Sequence, residues 1–133
     1  MKTRFADTHY FLALVNRKDS GHSAARKAAH DRTTRQLTTA WVLVEFGNAM
    51  AAVRSRLQAS QFLRGLTARS DIEILHPTWH DFERALNLFE SREDQDWSLT
   101  DCISFTVMRD RGIAEALTAD RHFEQAGFVA LLK

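Results

Sequence analysis

Cysteine, proline and glycine are scarce in this chain of 133 residues, which holds one Cys, one Pro and five Gly. A lone cysteine, Cys102, excludes an internal disulfide, so the fold has to rest on its apolar core. A chain of this length buries about two-thirds of its unfolded surface without such a staple. With so little Pro and Gly there is no linker or low-complexity segment, and no internal repeat is visible. One domain over residues 1–133 is expected. No apolar run approaches the roughly 18 residues that span a bilayer, and Met1-Lys2-Thr3-Arg4 does not open a charged-then-apolar leader. A soluble cytoplasmic protein without a membrane partner is the expectation.

Net charge is only +1, but its distribution is uneven. Residues 1–70 hold 12 Lys and Arg against 4 Asp and Glu, and residues 71–133 hold 6 against 13. Most such charges are solvated faces. An asymmetry of this size between halves also fits a polyanionic partner. Arg17, Lys18, Arg26, Lys27, Arg32 and Arg35 are the candidates for holding the phosphate backbone of such a partner.

Short apolar strands alternate with helical patterns along the chain. Arg4 to Thr8 reads as a first strand and Tyr10 to Val15 as a helix. His22 to Asp31 reads as an Ala-rich helix that Asp19 or Ser20 can cap. Gln36 to Ala40 is a second strand, followed by a helix from about Val42 to Arg54 with an apolar face of Val42, Leu43, Phe46, Ala49, Met50 and Val53. Gln58 to Ala68 is a further helix. Asp71 to Leu75 alternates and stops at Pro77, and Thr78 can cap a helix from Trp79 to Glu90. Leu117-Thr118 belongs to another short strand, and Phe128 to Leu132 to the last. The pattern predicts an α/β protein, a three-layer α/β/α sandwich around a short parallel sheet.

Three acids stand at the junctions of this pattern, and a fourth lies within a helix. Asp7 follows the first strand. Glu45 interrupts an apolar helix, with Asn48 one turn on. Ser98 followed by Asp101 is a capping box, which sets Asp101 in the first turn of a helix. Asp120 follows Leu117-Thr118 and can cap a short helix from Arg121 to Ala126. In a parallel sheet such junctions open on one edge, where ligands bind. Each acid alone is explained by a cap, a turn or, for Glu45, a solvated helix position; together they point to a cation. Two carboxylates about 5 Å apart repel by roughly 3 kcal/mol at an effective dielectric near 20. A donor set of oxygen alone suits Mg²⁺ or Mn²⁺ better than Zn²⁺.

Phe5-Ala6-Asp7-Thr8, Val42-Leu43-Val44-Glu45-Phe46-Gly47-Asn48, Leu99-Thr100-Asp101-Cys102-Ile103-Ser104 and Leu117-Thr118-Ala119-Asp120-Arg121-His122-Phe123, in this order and spacing, carry a resemblance to PIN-domain ribonucleases of the VapC toxin type. The resemblance runs almost end to end. It implies a Mg²⁺- or Mn²⁺-dependent endoribonuclease with Asp7, Glu45, Asp101 and Asp120 as its acidic quartet, serving catalysis and metal binding together. Thr8 and Thr118 match hydroxyl positions beside the quartet, and Asn48 is a further supporting polar residue. The resemblance also implies a cognate VapB-like antitoxin, a homodimer, and contact with DNA only through the antitoxin. Many relatives carry a further acid where this chain has His122.

Two other readings of the same pattern are a stand-alone PIN nuclease of RNA maturation or decay and an inactive PIN-like binding module. A phosphoacceptor receiver domain fits poorly, since Ala6 precedes Asp7 and Lys133 is merely terminal. Cys102 reads as a buried, inert thiol. Trp41, Trp79 and Trp97 read as packing residues. The histidines read as surface or cap residues, with His122 singled out.

Overall fold

A computed structural model describes all of residues 1–133. Five strands, β1 (Lys2–Ala6), β2 (Thr34–Thr39), β3 (Ile72–Leu75), β4 (Glu115–Leu117) and β5 (Val129–Ala130), form one sheet of order β3-β2-β1-β4-β5. Every pairing is parallel, with Phe5 opposite both Leu37 and Ala116. The intervening helices are α1 (Thr8–Val15), α2 (His22–Ala29), α3 (Ala40–Ala49), α4 (Val53–Thr67), α5 (Trp79–Ser91), α6 (Leu99–Asp110) and α7 (Arg121–Gln125). Crossovers between parallel strands are right-handed. The order 3-2-1 therefore sends α1 to α4 to one face, and the reversal to β4 and β5 sends α5 to α7 to the other. This is the three-layer sandwich that the alternation predicts.

The reversal makes β1 and β4 the neighbours on either side of a topological switch point, the place where open α/β sheets leave a crevice. β1 ends in the fully buried pair Phe5 and Ala6, and β4 in the buried pair Ala116 and Leu117. Both strands thus deliver their next residues to one edge from a fixed position. Helix α6 anchors the second face and is buried from Asp101 through Met108. Its Phe105 meets Trp97 and Phe123 edge-on, at centroid distances of 5.1 and 5.0 Å. Both α6 and α7 end in a glycine of positive φ, Gly112 and Gly127. Ile113 N–H reaches back to the Met108 carbonyl and Phe128 N–H to that of Phe123, each at 2.9 Å, closing the helix ends with six-to-one bonds.

Several local expectations change. The helix expected from Val42 to Arg54 stops at Ala49, and Val53 opens α4 with 92% of its surface exposed. No Gly or Pro marks this break. Ser55 Oγ donates to the Met50 carbonyl and Arg56 Nη1 to that of Ala51, so side chains of α4 satisfy the carbonyls at the break. Gly21, not Asp19 or Ser20, occupies the cap position of α2, and Asp19 Oδ1 instead accepts from Gly21 N–H at 2.7 Å. Trp97 is buried as expected, but Trp41 is 42% and Trp79 71% exposed. Trp79 stacks on Phe82 at the surface, with centroids 4.9 Å apart. No helix is long and apolar enough to cross a membrane.

Candidate metal centre

Asp7, the first residue beyond β1, is 3% exposed, and its carboxylate faces the end of β4. Thr118 Oγ1 donates to Asp7 Oδ2 at 2.8 Å, across 111 residues of sequence. The same hydroxyl oxygen accepts from Asp120 N–H at 3.1 Å, so one threonine ties the first acid to the turn that carries the fourth. Asp120 caps α7, its Oδ1 accepting from His122 N–H at 2.9 Å. Asp101 sits at the third position of α6, where Oδ2 accepts from Ser98 N–H at 3.1 Å and Ser98 Oγ accepts from Asp101 N–H at 3.0 Å. The capping box read from the sequence is complete. On the other face, Thr8 Oγ1 donates to Glu45 Oε1, which brings α3 against the start of α1.

One oxygen of each acid is thus held by a protein donor, which fixes how the carboxylate is turned. None of the four pairs with a lysine or an arginine; the one basic group within ion-pair distance of them is His122, whose Nδ1 lies 3.0 Å from Asp101 Oδ2 and 3.5 Å from Asp120 Oδ1. Ligand atoms of Asp101, Asp120 and His122 all fall within 4.8 Å of one another. Burial pushes the Asp7 carboxyl up to about 7, against the pull of its bonds to Thr118 and Thr8, and the charges of Asp101 and Glu45 add to the rise. A carboxylate so desolvated is disfavoured as an anion unless a cation joins it. Oxygen-rich, oriented and without a resident cationic partner, this donor set fits a divalent metal.

The structure does not bring every candidate to this edge. Asn48 is exposed, makes no side-chain hydrogen bond, and lines a groove between α3 and α4 with Met50, Leu57 and Arg64. All six basic candidates are exposed and none pairs with the four acids. Arg32 and Arg35 flank the start of β2, where Arg35 is in register with Thr3, at the opposite edge of the sheet from Asp7. Arg17 and Lys18 lie on the connector after α1, and Arg26 and Lys27 in the last turn of α2. Sequence reasoning missed the contact of His122 with Asp101. Its only signal was the departure at position 122, because 21 residues and two turns separate the pair. Cys102, next to Asp101, is buried, and desolvation with the Asp101 charge pushes its thiol up to about 11, so it is no nucleophile here.

A parallel sheet of order 3-2-1-4-5 with four acids gathered at its switch point defines an α/β protein built around an acidic, cation-ready edge. The chain belongs to the PIN-domain family, whose model matches residues 4–129. It is 28% identical to a 23S rRNA-specific endonuclease, VapC20, of two Mycobacterium tuberculosis strains, over 94% of this chain and 95% of that protein. The crystal structure of M. tuberculosis VapC20, described as a sarcin-ricin loop cleaving toxin, superposes with a TM-score of 0.85 at 26% identity, covering 94% of this chain and 95% of that one. A VapBC2 structure from Rickettsia felis, bound to a promoter DNA fragment, shares the fold at a TM-score of 0.68 and 11% identity, covering 96% of each chain.

Proposed function

We propose that this protein is a metal-dependent endoribonuclease, the toxin of a toxin–antitoxin pair, which hydrolyses RNA phosphodiesters to 5′-phosphate and 3′-hydroxyl ends. The observation that carries the reading is the set of four acids at the switch point, each turned by a protein donor and none neutralised by Lys or Arg. Asp7, Glu45, Asp101 and Asp120 would hold Mg²⁺ or Mn²⁺. Such an ion, when bound, supplies an activated water and offsets charge on a phosphoryl oxygen. Thr118 and Thr8 hold Asp7 and Glu45 in place, and Ser98 holds Asp101, so no side chain has to reorganise as charge develops. Without a cation the same acids repel a phosphate backbone. The likeness to an rRNA endonuclease toxin over almost the whole chain supports RNA as substrate and a VapB-like antitoxin as partner. A homodimer, and DNA contact through the antitoxin alone, follow from the same family reading.

The decisive experiment compares the parent with Asp7→Asn and Asp101→Asn on total RNA in Mn²⁺ or Mg²⁺. Each variant is expected to lose at least a hundredfold in cleavage rate while keeping its circular dichroism spectrum. Either variant cutting at the parental rate would overturn the metal-centre assignment. Folded parent protein that binds metal yet cuts no RNA pool would mark an inactive binding module instead. For the toxin role, induced expression should arrest growth, and Asp7→Asn should relieve the arrest.

A further inference from the structure

We propose that His122 is itself a metal ligand, adding an imidazole nitrogen to the carboxylate oxygens, and that this makes the site favour Mn²⁺ over Mg²⁺. The inference rests on the metal-centre reading above and specifies the ion that reading leaves open. Its ground is the position of one atom. Nδ1 of His122 stands 3.0 Å from Asp101 Oδ2 and 3.5 Å from Asp120 Oδ1, against both acids at once. Donors bound at 2.0–2.1 Å to one cation lie about 3.0 Å apart at right angles and about 3.4 Å apart at tetrahedral angles. The imidazole nitrogen therefore already stands at a ligand-to-ligand separation from each of the two carboxylates, and the three donor atoms lie within 4.8 Å of one another.

The ring is held there by the fold. His122 N–H donates to Asp120 Oδ1, and the next residue, Phe123, is fully buried against Phe5 and Phe105. Phe128 N–H closes the far end of α7 on the Phe123 carbonyl. The imidazole is only about one-fifth exposed, a poor placement for a solvated surface histidine. An all-oxygen set suits Mg²⁺ and Mn²⁺ alike, whereas an imidazole donor suits first-row transition ions rather than Mg²⁺, and Mn²⁺ is the one of these that also takes carboxylate oxygens. A fifth acid at this position would add charge without changing the donor type; histidine changes the type.

The test uses the full chain stripped with chelator and reloaded with one equivalent of Mn²⁺. Pulsed electron paramagnetic resonance should show ¹⁴N coupling from a directly bound imidazole. The coupling should vanish in His122→Asp, which still binds Mn²⁺. Competition titrations should show the Mn²⁺-to-Mg²⁺ preference falling at least tenfold in that variant. Should Asp at 122 fail to fold, His122→Gln replaces it in both measurements. Mn²⁺ bound to the parent without ¹⁴N coupling, or the same ion preference in parent and variant, overturns the proposal and leaves His122 a hydrogen-bonding neighbour of Asp101. A parent that binds no Mn²⁺ at all overturns the metal-centre reading along with it.

Discussion

Buried beside Asp101 and Glu45, the Asp7 carboxyl takes up its proton near pH 7, against an ordinary value of 3.8, and desolvation is the largest cause. The folded value lies above the unfolded one. Stability linked to this proton is therefore fully present below about pH 4 and is lost as pH rises through about 7. Asn at this position carries no charge to desolvate. In chelator, Asp7→Asn is expected to exceed the parent in stability at pH 8 by on the order of a few kcal/mol, with the gap closing toward pH 4.5. Urea denaturation at the two pH values measures it. A gap that does not change with pH would mean that Asp7 is not the group whose ionisation strains the metal-free fold.

Helix ends and helix interiors make opposite demands on glycine, and this chain has both cases. Gly127 ends α7 at φ 96, a conformation that costs an L-residue roughly 1–2 kcal/mol, and open space surrounds it. Gly127→Ala is thus expected to destabilise by about 1 kcal/mol, and also to loosen the Phe128 closure that steadies α7 beneath Asp120 and His122. Gly65 lies inside α4 with nothing near its missing Cβ, so Gly65→Ala should stabilise by about 0.5–1 kcal/mol. Thermal melts of the two variants should move in opposite directions. Element ends were legible where a cap residue marked them, as at Thr78 and at Ser98 with Asp101. They were illegible between α3 and α4, where Ser55 and Arg56 end one helix from within the next.

At the scale of the molecule, the four acids form a store of unfavourable charge that a cation would relieve. Mn²⁺ added to stripped protein is expected to raise the melting temperature by several degrees at pH 8, since a ligand at 100 times its Kd stabilises by about 2.7 kcal/mol. The rise should be smaller at pH 6, where a proton on Asp7 competes with the cation. Differential scanning fluorimetry reads both. Equal shifts at the two pH values, or none, would place the ion somewhere other than this edge. The basic half of the chain meets the acids less directly than its composition implies, because Arg32 and Arg35 lie at the far edge of the sheet.

Period and caps are local properties, and the sequence by itself determined what depends on them. The strand–helix alternation, the capping box at Asp101 and the turn at Asp120 are each written within a few residues. The strand order is not local. It depends on which side each right-handed crossover takes, and so only the tertiary structure set β4 beside β1, Thr118 against Asp7 across 111 residues, and His122 against Asp101 across 21. The same non-locality moved Arg35 away from the acids and left Trp41 and Trp79 at the surface. The residue types at the candidate centre were present in the sequence from the outset. Their distances, and the desolvation that lifts Asp7, exist only once the sheet has closed around them.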